Sequence, residues 1–207
     1  MRTQVSSLCK GARVIPVVVI ENVEDAVPLA SCLVENGLPV VEVTMRTEAA
    51  LAAVEEIAKH VPECVIGVGS ILTPQHLSQA QAAGGHFGVS PGTPFSLLRA
   101  LEISDWPFLP GAATLSEMLT LRDAGIIEQK LFPASVVGGI NMIKSVAGPV
   151  SDISFCPTGG VKPDNANDFL SQKNVFAVGG TWIAPLDDVN NKNWDAIAER
   201  AAAASKI

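Results

Sequence analysis

The chain has 207 residues, enough for one large domain, and 48% of them are apolar. Its 14 basic and 21 acidic residues leave a net charge of −7, which argues against a nucleic-acid partner, because phosphate backbones are held by basic patches. Gly and Pro are scattered rather than gathered into a linker, so residues 1–207 read as a single soluble α/β domain with a sizeable core.

In chain order, Arg2, Lys10 and Arg13 precede the apolar run "VIPVVVI". That run is short, is interrupted by Pro16 and lacks the small-residue cleavage site of a signal peptide. No other segment is long enough to span a membrane. The first twelve residues predict a short helix closing one end of the fold. Strands are expected at 14–20, 41–45, 64–70, 86–90, 106–111, 127–133, 153–158 and 175–180, each rich in Val, Ile or Phe. Helices are expected between them, at 23–37, 47–60, 73–85, 93–104, 114–125, 138–148, 162–173 and 193–207. Gly37 signals a helix end, Thr47, Thr73 and Thr93 stand at N-cap positions, and Thr114 with Glu117 reads as a capping box. Eight strand–helix units in this length predict a single (β/α)8 TIM barrel. An open doubly wound sheet is the competing arrangement.

Active sites of such barrels lie at the C-terminal ends of the strands. Lys130, in "IEQKLFPAS", is the one lysine inside a strand pattern; the others lie near the termini or in helical patterns. Glu42 is a carboxylate flanked by Val41 and Val43. On barrel strands such groups face the lumen or break the packing. Two opposite charges there can form a purely structural ion pair. The functional reading is a lysine nucleophile with a carboxylate proton carrier. A neutral amine attacks a carbonyl to give a Schiff base, which draws electrons from the neighbouring carbon–carbon bond: aldol cleavage without a metal or other cofactor. His60, His76 and His86 are poorly placed for a metal cluster. The Gly pairs Gly159-Gly160 and Gly179-Gly180 fall in the loops after strands 7 and 8, where many barrels bind phosphate through backbone amides. Arg46, just past strand 2, is either a surface residue or a bidentate clamp on a carboxylate, which would suggest a 2-oxo acid. The four cysteines form no CxxC pair and read as reduced, buried residues of a cytoplasmic protein.

The motifs "EVTMRT", "GVGSILTPQ", "SPGT", "LPGAAT", "KLFPAS", "FCPTGGVKPDN" and "VGGTWI" resemble the bacterial 2-keto-3-deoxy-6-phosphogluconate (KDPG) aldolases, many of which also cleave 4-hydroxy-2-oxoglutarate (KHG). The likeness runs from about Val14 to Trp194. It implies a class I aldolase on a (β/α)8 barrel, usually a homotrimer, acting on a small-molecule substrate. The products would be pyruvate and D-glyceraldehyde 3-phosphate, as in the Entner–Doudoroff route. Lys130 matches the Schiff-base lysine, Glu42 the acid/base and Arg46 the residue holding the pyruvate carboxylate. Pro91, Phe132 and Thr158 match residues lining the pyruvate site, and Gly159, Gly160, Gly180 and Thr181 the phosphate loops. Ser70 stands where the family often has threonine, Thr181 where it often has serine, and "FPAS" replaces the more frequent "FPAE". An aldolase for the galactonate epimer, a metal-free phosphosugar isomerase using Glu42 as base, and a noncatalytic sugar-phosphate binder are the alternatives.

Overall fold

The computed structural model describes residues 3–207. Its strands are β1 (Val14–Val18), β2 (Val40–Thr44), β3 (Val65–Gly69), β4 (Phe87–Val89), β5 (Phe108–Leu109), β6 (Gly111–Ala112), β7 (Glu128–Leu131), β8 (Ser154–Phe155) and β9 (Val178–Gly180). All pair in parallel. One ladder runs β5-β4-β3-β2-β1-β9 and a second β6-β7-β8. The ladders are one closed ring. Pro110 divides the fifth stave into β5 and β6, because it has no N–H to donate; its carbonyl still accepts the Lys130 amide at 2.8 Å. On the other side, bridges Phe155↔Val175 and Thr158↔Gly179 join β8 to the β9 stave. The predicted eight-stave barrel is therefore present.

Helices cover the outside: α2 (Ala26–Glu35), α3 (Ala50–His60), α4 (Pro74–Ala82), α5 (Phe95–Glu102), α6 (Leu115–Asp123), α7 (Gly139–Ala147), α8 (Ala166–Leu170) and α10 (Trp194–Ala204). A short α1 (Val5–Leu8) precedes the barrel, and α9 (Leu186–Asn190) follows β9. Every residue of β1, β2 and β3 is buried, as expected of parallel strands covered on both faces. Alternate residues feed two cores. Outward side chains such as Val41, Val43, Ile66 and Val68 pack under the helices. Inward ones, including Ile15, Val40, Val65, Phe87, Val89, Leu109, Cys156 and Ala177, fill the lumen, and Val5 and Cys9 of the α1 segment close its N-terminal end.

Several elements depart from the expected bounds for local reasons. Thr47 and Thr93 do not cap helices. Thr47 Oγ1 donates to the Ile20 carbonyl, and Thr93 Oγ1 to that of Gly111. Each hydroxyl ties a loop to a neighbouring stave, and the helices begin later, after Ala49 and Pro94. Thr73 does cap α4, and Thr114 with Glu117 forms the complete capping box of α6. Residues 23–25 form a 3-10 turn before α2. The predicted 162–173 helix shrinks to α8, since the Asn165 side chain closes the preceding turn onto the Lys162 amide at 2.8 Å. At the end of α2, Gly37 has φ +87°, and the amides of Gly37 and Leu38 bond back to Val34 and Leu33, a Schellman stop. The helix α9 was not foreseen.

All four cysteines are free and buried. Burial pushes the Cys9 and Cys64 thiols up to about 12, with the Glu128 carboxylate adding to the effect at Cys9. The Cys156 thiol is raised further, again chiefly by burial. These sulfurs are packing atoms, not nucleophiles.

Candidate active site

Glu42 on β2 and Lys130 on β7 stand four staves apart on the ring, on opposite walls of the lumen. Both are almost fully buried, 4% exposed each. Lys130 Nζ donates to Glu42 Oε1 at 3.0 Å and to Oε2 at 3.2 Å. The Phe132 ring lies 5.4 Å from the same nitrogen, within cation–π range. Two long side chains meet across the lumen, and Glu42 has its room because β3 beside it carries glycine. Glu42 pairs with Gly67, and a Cβ at Gly69 would collide with Glu42 itself. Lys130 pairs with Gly111, where a Cβ would meet the Ser90 and Pro91 backbone. Below the pair, the fully buried Cys156 closes the lumen with the other apolar inward side chains. The arrangement is a buried ion pair, suited to proton exchange between an amine and a carboxylate.

The remaining predicted residues surround this end. Arg46 follows β2 directly and is exposed. Its Nε donates to Thr44 Oγ1 at 3.1 Å. Ser70, just after β3, is half-buried with φ +62°, a left-handed conformation uncommon for a residue with a Cβ. Pro91 is half-buried beside Ser90, whose hydroxyl accepts the Gly111 amide at 3.1 Å. Phe132 precedes the cis peptide to Pro133. Thr158 is buried, and its hydroxyl fills the space left by Gly179.

The two glycine loops are held differently. The Gly159 carbonyl accepts the Ser135 amide at 3.0 Å, and the Gly160 carbonyl accepts Asn165 Nδ2 at 3.1 Å. Among the described residues no acceptor takes the N–H of Gly159, Gly160 or Thr181. A Cβ at Gly180 would strike the Trp182 ring, and one at Gly160 the Ser135 side chain. Gly180 therefore serves close packing within its own loop, and Gly160 close packing against the loop after β7, whatever their amides bind.

Sequence patterning alone did not single out Thr44 or Glu128. Thr44 and Glu128 carry the same signal that exposed the main pair, since each lies two residues from it on the same strand face. Glu128 is buried at the opposite, N-terminal end, where Oε2 accepts the Ser6 amide at 3.1 Å. It caps α1 and borders a cavity of about 430 Å³ lined also by Val5, Phe108 and Ile126. His86 uses Nδ1 to accept the Ile66 amide at 2.9 Å, a strand-end contact. No group of three or more His, Cys, Asp or Glu capable of holding a metal occurs among the described residues.

The KDPG and KHG aldolase family model matches residues 5–200. The chain belongs to the KDPG and KHG aldolase family. It is 42% identical over 200 residues to the KHG/KDPG aldolase of Escherichia coli K12, covering 97% of this chain and 94% of the relative. It is 40% identical over 191 residues to the 2-dehydro-3-deoxy-phosphogluconate aldolase of Pseudomonas aeruginosa, covering 92% and 87%. Among solved structures it resembles the KDPG aldolase of Legionella pneumophila with pyruvate captured as a covalent carbinolamine (TM-score 0.94, 40% identity, 97% and 98% coverage). It also resembles the Zymomonas mobilis enzyme with 3-phosphoglycerate (TM-score 0.89, 40% identity, 96% and 93% coverage).

The glycine opposite Glu42 can be tested directly. An added methyl at Gly69 would lie 2.8 Å from Glu42 Cγ and 2.9 Å from Cδ. Gly69→Ala is expected to lose about 1–3 kcal/mol of unfolding free energy in urea titrations, the usual cost of overpacking. Gly92→Ala, where a Cβ meets nothing within 4 Å, is the control and should stay within about 0.5 kcal/mol of wild type. Equal stability of the two variants would show that Glu42 does not need the space over Gly69.

Proposed function

We propose that this chain is a class I aldolase. It cleaves 2-keto-3-deoxy-6-phosphogluconate to pyruvate and D-glyceraldehyde 3-phosphate, and 4-hydroxy-2-oxoglutarate to pyruvate and glyoxylate. The observation that carries the reading is the buried Lys130 Nζ, 3.0 Å from the Glu42 carboxylate. An isomerase or a binding protein would need no amine there.

In this mechanism the Lys130 ammonium first gives its proton to Glu42 along their hydrogen bond. The neutral amine attacks the C2 carbonyl and forms a carbinolamine. Glu42 returns the proton to the carbinolamine oxygen, which leaves as water, and a protonated imine remains. The C4 hydroxyl then loses its proton to Glu42 as the C3–C4 bond breaks. The bonding electrons move onto the imine, giving an enamine and a free aldehyde. Protonation of the enamine at C3 and hydrolysis release pyruvate and restore Lys130. One carboxylate can serve each transfer because both its oxygens lie within 3.2 Å of the nitrogen. Arg46 would clamp the substrate carboxylate, supported by its lack of a carboxylate partner among the described residues. Ser70, Pro91, Phe132 and Thr158 would line the pyruvate portion. The unengaged amides of Gly159, Gly160 and Thr181, with the Thr181 hydroxyl and the Gly180 backbone, would receive the phosphate.

We also propose a homotrimer, as the family resemblance implies; exposed Leu72, Phe95 and Val136 offer apolar surface for contacts between copies. The four free thiols fit a cytoplasmic setting.

Incubation with pyruvate and borohydride should add one pyruvyl group, located by peptide mass to Lys130; labelling at Lys144 or Lys162 would refute the assignment. Lys130→Arg should be inactive, and Glu42→Gln should slow turnover by about 10²–10⁴-fold. If Glu42→Gln turned over within a few-fold of wild type, Glu42 would be only a structural partner.

For the phosphate, Thr181→Val keeps the side-chain shape and removes the hydroxyl. It should raise KM for the phosphorylated substrate by about tenfold or more, the scale of a hydrogen bond to a charged group. The KM for 4-hydroxy-2-oxoglutarate should change much less. Equal effects on both substrates would move the phosphate site elsewhere.

The trimer is checked by light scattering after size exclusion, with a mass three times that of one chain expected. A monomer mass at micromolar concentration would exclude it.

A further inference from the structure

Thr44 occupies an inward position on β2 where an apolar side chain would be the simple choice. It pairs with Gly69, lies two residues beyond Glu42 and is 2% exposed. A buried hydroxyl is costly unless its hydrogen bonds are made. Thr44 makes both kinds. Its Oγ1 donates to the Val18 carbonyl on β1 at 2.9 Å and accepts Arg46 Nε at 3.1 Å. The backbone supports the same geometry, because the Arg46 amide bonds to the Thr44 carbonyl at 2.8 Å and the Met45 amide to the Gly69 carbonyl at 2.9 Å. Arg46 is thereby fixed at its root to two strands of the barrel.

This anchoring selects one face of the guanidinium. A carboxylate can dock against the Nε–Nη edge or end-on against the two Nη groups. Thr44 occupies the first route. The two Nη groups carry no protein partner among the described residues, so the end-on fork remains open. Holding a long, exposed arginine in one orientation also settles part of its rotamer entropy during folding instead of at binding.

We infer that Thr44 is the positioning residue of the site: its hydroxyl relays the Val18 carbonyl to Arg46 Nε and presents the guanidinium end-on to the carboxylate of a 2-oxo acid. The inference rests on the reading of Arg46 as the carboxylate clamp. It concerns how tightly the substrate carboxylate is held, not the chemistry at Lys130.

The test measures imine formation by borohydride trapping against ligand concentration. Two ligands are used: pyruvate, and methyl pyruvate, which keeps the ketone but lacks the negative charge. Thr44→Val preserves volume and removes the hydroxyl. It should raise the half-saturating pyruvate concentration about three- to tenfold, the scale of one hydrogen bond, while methyl pyruvate is trapped as by wild type. In aldol cleavage the same variant should raise KM more than it lowers kcat. Thr44→Ser should recover most of the pyruvate affinity. In an Arg46→Ala background, Thr44→Val should cause no further loss, because the hydroxyl then has nothing to position. Thr44→Ala repeats the comparison if the valine variant fails to fold. A weakened response to pyruvate in Arg46→Ala, with none in Thr44→Val, overturns the inference and leaves the clamp intact. Unchanged pyruvate affinity in Arg46→Ala overturns the clamp and the inference together. Equal losses for pyruvate and methyl pyruvate, or a further loss in the double variant, would make Thr44 a structural residue only.

Discussion

A lysine and a glutamate meet at 3.0 Å in the middle of a barrel filled largely with apolar side chains. Each is tolerable there only because of the other. Removing one partner of a buried pair typically costs about 3–5 kcal/mol, because the survivor is left charged and unsolvated. Much of the inner architecture follows from this constraint. The two residues sit on opposite walls, so their side chains must be long. The strand beside Glu42 must be bare, and Gly69 supplies the room. The Phe132 ring lies alongside the ammonium. A pair that contributed only stability could be replaced by two leucines at little cost.

Above the pair, polar groups are fixed by the walls rather than by one another. Thr44 joins β1 to β2 and steadies Arg46. Ser90 joins β4 to the stave carrying β6 through the Gly111 amide, and Thr93 returns to the Gly111 carbonyl. The loops after β7 and β8 are laced together by the amides of Ala134 and Ser135. Such contacts hold loop residues at defined positions. They place flexible side chains on a frame set by parallel ladders, which suits electrostatic preorganisation.

The barrel was legible because parallel strands buried on both faces appear as short Val- and Ile-rich runs, and eight of them alternate with helical patterns. Glu42 was legible for the converse reason, as a single charge inside such a run, and Lys130 as the one lysine in a strand pattern. Local misreadings came from hydroxyls. Thr47 and Thr93 look like helix caps in one dimension, yet their partners lie on other staves, at Ile20 and Gly111. Thr73 and Thr114 look the same in sequence and do cap; only tertiary contact distinguishes the two sets. Pro110 could be read as a strand end, but not as a break within one stave. The value of Gly69 depends on which side chain crosses it, and that is decided by a residue 27 positions earlier, Glu42. Thr44 escaped notice because threonine is an ordinary strand residue.

The α1 segment gives the barrel a floor. Val5 and Cys9 pack among the inward side chains, and Glu128, two residues before Lys130 on the same strand, caps the first turn of that helix. The barrel is therefore closed at its N-terminal end. On the proposed chemistry, traffic through it is last in, first out. The aldehyde half, nearer the rim, must depart before the keto-acid half that is covalently held below it. The water that hydrolyses the imine must then come from the side that α1 does not close, so the covalent bond sets the order of product release and the floor sets its direction.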